Sequence, residues 1–184
     1  MPYDPTIHNR RSIRLPGYDY SQPGAYFVTI CTQNRACLFG EIVDGKMIVN
    51  TLGQLLTSCW SEIPAHHPYI TQDAYVIMPN HIHGILYIHE HTDSTYDGGQ
   101  NNQSPRESRP TGTSKALGSV VRGLKIGVTK WARQNTKIKT LWQRGFYEHI
   151  IRNEHDLNMI REYILTNPEN WKKDKLHPVF GKGS

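Results

Sequence analysis

The chain has 184 residues and a net charge of +5, from 21 lysines and arginines against 16 acidic residues. That length suffices for one domain with a sizeable core. No run of about eighteen apolar residues is present, which excludes a membrane-spanning helix, and the polar N-terminus has no apolar stretch of the kind a secretory signal needs. Cys31, Cys37 and Cys59 are odd in number and lack metal-finger spacing. They read as thiols of a protein in a reducing cytoplasm.

Residues 1–25 are polar and turn-rich, with Arg10, Arg11 and Arg14 close together. This is either a solvated tail or an arm that contacts phosphates. Residues 26–33 alternate as a strand. Residues 38–43 and 46–49 flank Asp44-Gly45 and read as a β-hairpin, because Asp-Gly suits a two-residue turn. Asn50 or Thr51 can cap a helix running to about Ile63, whose apolar stripe is Leu52, Leu55, Leu56, Cys59, Trp60 and Ile63. Pro64 and Pro68 bracket a loop, residues 69–77 form the next strand, and residues 81–88 the one after it. Residues 90–114 are almost devoid of aliphatic side chains and read as a mobile loop inside one domain. From Lys115 the pattern is helical: Leu117, Val120, Val121, Leu124, Val128 and Trp131 share a face. Between Lys115 and Arg152 there are nine basic residues and one acid, Glu148. Trp142, Phe146 and Tyr147 lie among those charges, where they could stack on unpaired bases; a solvated helix face is the alternative. A short strand falls within residues 142–151. Asn153 caps a last helix whose first turn carries Glu154 and Asp156 and whose core face carries Leu157, Ile160 and Ile164. Pro168 ends it.

Two features carry chemistry. In Pro79-Asn80-His81-Ile82-His83-Gly84 the strand alternation puts His81 and His83 on one face, with Ile82, Gly84, Leu86 and Ile88 on the other, core-directed face. Two imidazoles on a rigid strand can hold a divalent metal. About eighty residues later, Tyr163 and Asn167 are four apart and so share a helix face. A phenol is a poor nucleophile near neutral pH, with a pKa of about 10. Taken alone, a tyrosine on a helix reads as a packing residue, and the two histidines read as surface or hydrogen-bonded side chains as readily as ligands.

Together with Gly17-Tyr18-Asp19-Tyr20, Tyr26-Phe27-Val28-Thr29, Trp142-Gln143-Arg144 and Tyr147 to Asn153, these stretches resemble the HUH single-tyrosine (IS200-like) transposases, and within them the REP-associated tyrosine transposases. The resemblance spans residues 10–172. It implies an α+β, ferredoxin-like or RRM-like antiparallel sheet with helices packed on one face and the histidine pair on a central strand. It also implies a single domain over residues 1–184, with a basic arm over residues 1–20. The implied activity is metal-dependent nicking and strand transfer on single-stranded DNA at hairpins of repetitive extragenic palindromes, through a 5′-phosphotyrosine, in DNA transposition or recombination. Tyr163 would be the nucleophile, and His81 and His83 ligands of Mg²⁺ or Mn²⁺. The third ligand would be Asn167, where many relatives carry glutamine, or else His149. Arg10, Arg11, Arg14, Lys125, Arg133, Trp142, Arg144 and Tyr147 would contact DNA. The resemblance implies a cytoplasmic, nucleoid-associated bacterial protein, homodimeric or monomeric. Two other classes fit parts of the pattern. One is a non-catalytic binder of hairpin DNA or RNA. The other is a zinc hydrolase, although the chain has no His-Glu-x-x-His sequence.

Overall fold

Strand β1 (Gly24–Cys31) runs through the middle of the molecule. The computed structural model describes residues 22–90 and 117–181. The expected basic arm with Arg10, Arg11 and Arg14, and the expected loop after residue 90, lie outside them.

After β1, Asn34 and Arg35 take positive φ angles of 56° and 53° and turn the chain at Gln33–Arg35. The hairpin follows as β2 (Gly40–Val43) and β3 (Lys46–Val49). Asp44 and Gly45 both have positive φ, 48° and 73°, as a primed turn requires. Helix α1 (Thr51–Ser61) starts at Asn50, whose side chain accepts a hydrogen bond from the Gly53 N–H at 3.0 Å. The stretch read as a Pro-bracketed loop instead contains one helical turn, α2 (Ile63–His66). Pro64 is tolerated because the first helical N–H groups have no partner inside the helix. Strand β4 (Ile70–Met78) carries a bulge between Gln72 and Tyr75 and leads directly into β5 (His81–Ile88). Helix α3 (Leu117–Asn135), β6 (Tyr147–Ile151) and α4 (Glu154–Thr166) complete the set.

Strands β4, β5, β1 and β6 form one sheet in that order, with every neighbouring pair antiparallel. With α1 between β1 and β4 and α3 between β5 and β6, this is the expected α+β, ferredoxin-like arrangement. Tyr26, Val28, Ile30, Ile82 and Leu86 point to one face, where Leu56 and Trp60 of α1 and Val120, Leu124 and Val128 of α3 cover them. The expectation of helices on a single face holds for α1 and α3 but not for α4. Leu157 and Ile164 of α4 pack with Ala25, Phe27, Ile85 and Ile151 on the opposite face. The reason is that β1 and β5 present apolar side chains on both sides, so each side needs a cover. Among the described residues no helix is long and apolar enough to cross a membrane.

Gly84 shows how closely the first face is packed. A Cβ there would stand 2.3 Å from Cζ2 of Trp60, so the indole lies directly on the β5 backbone. Gly84→Ala should therefore lower stability by about 1–3 kcal/mol, the usual range for overpacking a core. In urea the midpoint should fall while the slope stays constant; an unchanged midpoint would mean that Trp60 yields freely.

Candidate active site

His81 and His83 begin β5, an interior strand, and face α4. Contrary to a half-solvated sheet face, both are buried, at 0% and 2% exposure. Their rings are 4.4 Å apart between centroids. Cross-strand register places Thr29 of β1 beside His83, and Thr29 Oγ1 lies 2.8 Å from His83 Nδ1. The other ring nitrogen, Nε2, is 3.2 Å from the hydroxyl of Tyr163. Helix α4 delivers that hydroxyl. Leu157 and Ile164 seat the helix on the sheet, and Arg161 grips Asp73 of β4 with two hydrogen bonds of 3.0 and 2.6 Å. The Tyr163 ring meets Phe27 edge-on and remains 44% exposed, at the edge of a cleft of about 1200 Å³.

The chain after α4 folds back over the histidines. The buried ring of Trp171 approaches His81, and Asp174 brings its Oδ2 to 3.6 Å from His81 Nε2. One ligand atom each from His81, His83 and Asp174 lie within 4.8 Å of one another. Asn167 is 4% exposed and lines the same cleft as Tyr163. Three atoms in this region, His81 Nε2, Asp174 Oδ2 and Asn167 Oδ1, are buried without a hydrogen-bond partner among the described residues. Two neutral imidazoles, a carboxylate and an amide oxygen form a donor set that suits a divalent cation, and the three orphaned atoms are where such an ion would be welcomed.

Burial dominates the electrostatics. It pushes His83 down to about 3 and His81 well below the usual histidine range, with the neighbouring His83 adding to the second effect. Both rings are thus neutral, with a lone pair each to offer. Burial pushes Tyr163 up; the Asp174 carboxylate adds to this, and the Asn167 side chain opposes it. Asp174 is itself raised by burial, against the Leu176 N–H, His177 and Arg35.

The structure thus brings together Tyr163, His81, His83 and Asn167. Arg144 and Tyr147 line the same cleft. His149, the competing ligand, lies elsewhere: it pairs with Phe27 in the sheet and its Nε2 meets Asp156 Oδ2 at 2.9 Å, at the start of α4. Arg133 lies on the exposed side of α3, where it lines a second groove of about 740 Å³ with Arg122 and Lys130. Two expectations need correction. Trp142 is 9% exposed, packs 5.3 Å from the Phe39 ring and donates its indole N–H to the Lys125 carbonyl at 3.2 Å, so it is a core residue and presents no face to a base. Lys125 is turned inward. Its ammonium donates to the carbonyls of Gln143, at 2.9 Å, and Gly145, holding the turn before β6. Gly145 has φ +77°, which lets the chain curl round that charge. Asp174 is a site residue that sequence patterning does not single out. Lys172-Lys173-Asp174-Lys175 has the look of a solvated charged run, and only the tertiary fold reveals its place.

No protein-family model matches the chain. An uncharacterised Haemophilus influenzae protein is 47% identical over 180 residues, covering 95% of this chain and 97% of that protein. A second H. influenzae protein, provisionally named a REP-associated tyrosine transposase, is 28% identical over 156 residues, covering 82% of this chain and 73% of its own length. Among solved structures, a REP-associated tyrosine transposase bound to a REP hairpin shares the fold, with a TM-score of 0.59 at 23% identity over 88% of this chain and 76% of that one.

The depressed value of His83 carries a sign. An unfolded histidine titrates near 6.5 and this one near 3, so the neutral ring stabilises the fold above pH 6.5, and that contribution is lost as pH falls toward 3. In EDTA the urea midpoint should drop steadily from pH 7 to pH 4, and His83→Gln should remove part of the drop. A flat midpoint in the wild type would show that the folded state accepts the proton at ordinary cost.

Proposed function

We propose that the chain is a member of the REP-associated tyrosine transposase family, and that it nicks and rejoins single-stranded DNA at hairpins of repetitive extragenic palindromes through a 5′-phosphotyrosine formed on Tyr163. The observation that supports this most is the approach of the Tyr163 hydroxyl to 3.2 Å from His83 Nε2, in a cleft that Asp174 and Asn167 also line, with His81 buried beside His83. His81, His83 and Asp174 would hold Mg²⁺ or Mn²⁺, with the Asn167 amide oxygen as a further donor. When bound, the ion supplies Lewis-acid polarisation of the scissile phosphate and offsets the charge of Asp174 that keeps the phenol protonated.

The Tyr163 oxygen attacks phosphorus, the bond to the 3′-oxygen breaks, and a free 3′-hydroxyl leaves while the 5′ side stays esterified to the tyrosine. Attack on that ester by a 3′-hydroxyl restores the phosphodiester and frees the phenol, so no nucleotide is consumed. Phe27 backs the phenol ring, and its exposure leaves the oxygen open to a strand entering the cleft. Tyr147, 43% exposed and in contact with Phe27, offers a face on which an unpaired base can stack. Arg144 at the cleft, and Arg122, Lys130 and Arg133 in the groove on α3, hold backbone phosphates. The two depressions meet at Gly145 and Phe146, which line both, so one nucleic acid can occupy them together.

With a REP-type hairpin carrying an unpaired flank and Mn²⁺, the wild type should give a protein–DNA adduct that survives denaturation, and Tyr163→Phe should give none. Cleavage that persists in Tyr163→Phe without an adduct would rule out the tyrosine mechanism. Arg133→Ala combined with Arg144→Ala should weaken hairpin binding and flatten the dependence of log K on log salt by about 0.7–0.9 for each phosphate no longer neutralised.

A further inference from the structure

Asn80, 1% exposed, makes more specific hydrogen bonds than a turn residue needs. Its side-chain Nδ2 donates to the carbonyls of Arg35, at 3.1 Å, and Leu176, at 2.8 Å. Its side-chain Oδ1 lies 2.7 Å from His81 Nδ1. Its own carbonyl accepts from Thr32 N and Thr32 Oγ1, at 2.9 and 3.0 Å, which fixes its backbone. Carbonyls only accept, so the nitrogen of the amide must face Arg35 and Leu176 and the oxygen must face the imidazole. An amide oxygen also only accepts, so His81 Nδ1 must carry the proton. The lone pair is thereby confined to Nε2, the atom that faces Asp174. Thr29 cannot dictate the state of His83 in this way, because a hydroxyl both donates and accepts.

The same amide controls the other side of the pair. Leu176, whose carbonyl Asn80 holds, donates its N–H to Asp174 Oδ1 at 2.7 Å. That bond leaves Oδ2 directed at His81. Arg35 reinforces the segment through a 2.9 Å hydrogen bond to the Lys175 carbonyl. From the amide of Asn80, one path leads to the His81 ring and a second leads through Leu176 to the Asp174 carboxylate that the ring faces.

We propose that Asn80 is the positioning residue of the cation site, locking His81 in the tautomer that frees Nε2 and holding the segment after α4 so that Asp174 faces it. This rests on reading His81 and Asp174 as ligands. The role is distinct from packing: it depends on which amide atom points where, and a side chain of the same volume without that polarity would not perform it.

Histidine ring ¹⁵N shifts of the wild type at pH 7 in EDTA test the lock directly. His81 Nδ1 should appear protonated and Nε2 unprotonated; the reverse pattern overturns the proposal. Asn80→Asp keeps the acceptor and should keep this tautomer, whereas Asn80→Ala should let the two tautomers mix. By calorimetry with MnCl₂, Asn80→Ala should weaken the affinity at least tenfold while hairpin affinity in EDTA stays within twofold. An Asn80→Ala protein with unchanged ring shifts and Mn²⁺ affinity within twofold of wild type overturns the proposal. Should Asn80→Ala fail to fold, the wild-type and Asn80→Asp ring shifts decide. Failure of the cleavage mechanism is separately visible: wild-type protein would form no adduct, yet the ring shifts would still report on Asn80.

Discussion

The contact between Tyr163 and His83 joins a late helix to an interior strand, and every chemical property of the cleft depends on those two elements being held at that distance. The contact itself is not what holds them. A neutral hydrogen bond contributes about 1 kcal/mol. The helix is placed instead by the burial of Leu157 and Ile164 against Phe27 and Ile85, and by the two-pronged grip of Arg161 on Asp73. The phenol can therefore exchange its partner without unseating α4. That freedom is what a nucleophile needs if it is to turn from a histidine towards a phosphate.

Water exclusion around the histidines has a cost that packing does not offset. His81 Nε2, Asp174 Oδ2 and Asn167 Oδ1 are buried without partners among the described residues, and each such atom costs about 1–3 kcal/mol. They converge on one region beside the Tyr163 hydroxyl. Buried polar atoms without partners are uncommon in folded proteins and call for an explanation. A cation would supply one: the same desolvation that keeps both imidazoles neutral keeps their lone pairs available, and it would strengthen the attraction of Asp174 for positive charge.

Local signals proved most legible where a single backbone rule decides the outcome. Asp44-Gly45 had to turn with positive φ, Asn153 had to cap, and alternation put His81 and His83 on one face. The stripe of α3 from Leu117 to Val128 likewise became core. What stayed hidden was tertiary. Trp142, an aromatic among basic residues, has the composition of a base-stacking site, but a bridge to Thr32 pulls it under α3. Lys125 has an amphipathic stem that can turn either way, and only the nearby 143–145 turn decides which. Asp174 has no periodicity around it, and its place is set by the hold of Asn80 on the Leu176 carbonyl and of Arg35 on the Lys175 carbonyl, both from far away in the chain. The stripe on α4 showed that the helix would pack, but carried no information about which face of the sheet it would cover.

That last ambiguity has a physical consequence for the molecule. The β1–α1–β4–β5–α3–β6 unit closes its main core without α4, because α1 and α3 seal one face of the sheet. Helix α4 and the segment after it form an added layer over the opposite face, anchored by a much smaller apolar cluster. Elements with little burial open at lower free energy than the core they rest on. The histidines thus sit on an interior strand of the sheet, while Tyr163 and Asp174 arrive on a layer with less apolar burial. A cleft divided in this way keeps the two imidazoles rigid and lets the Tyr163 hydroxyl and the Asp174 carboxylate adjust.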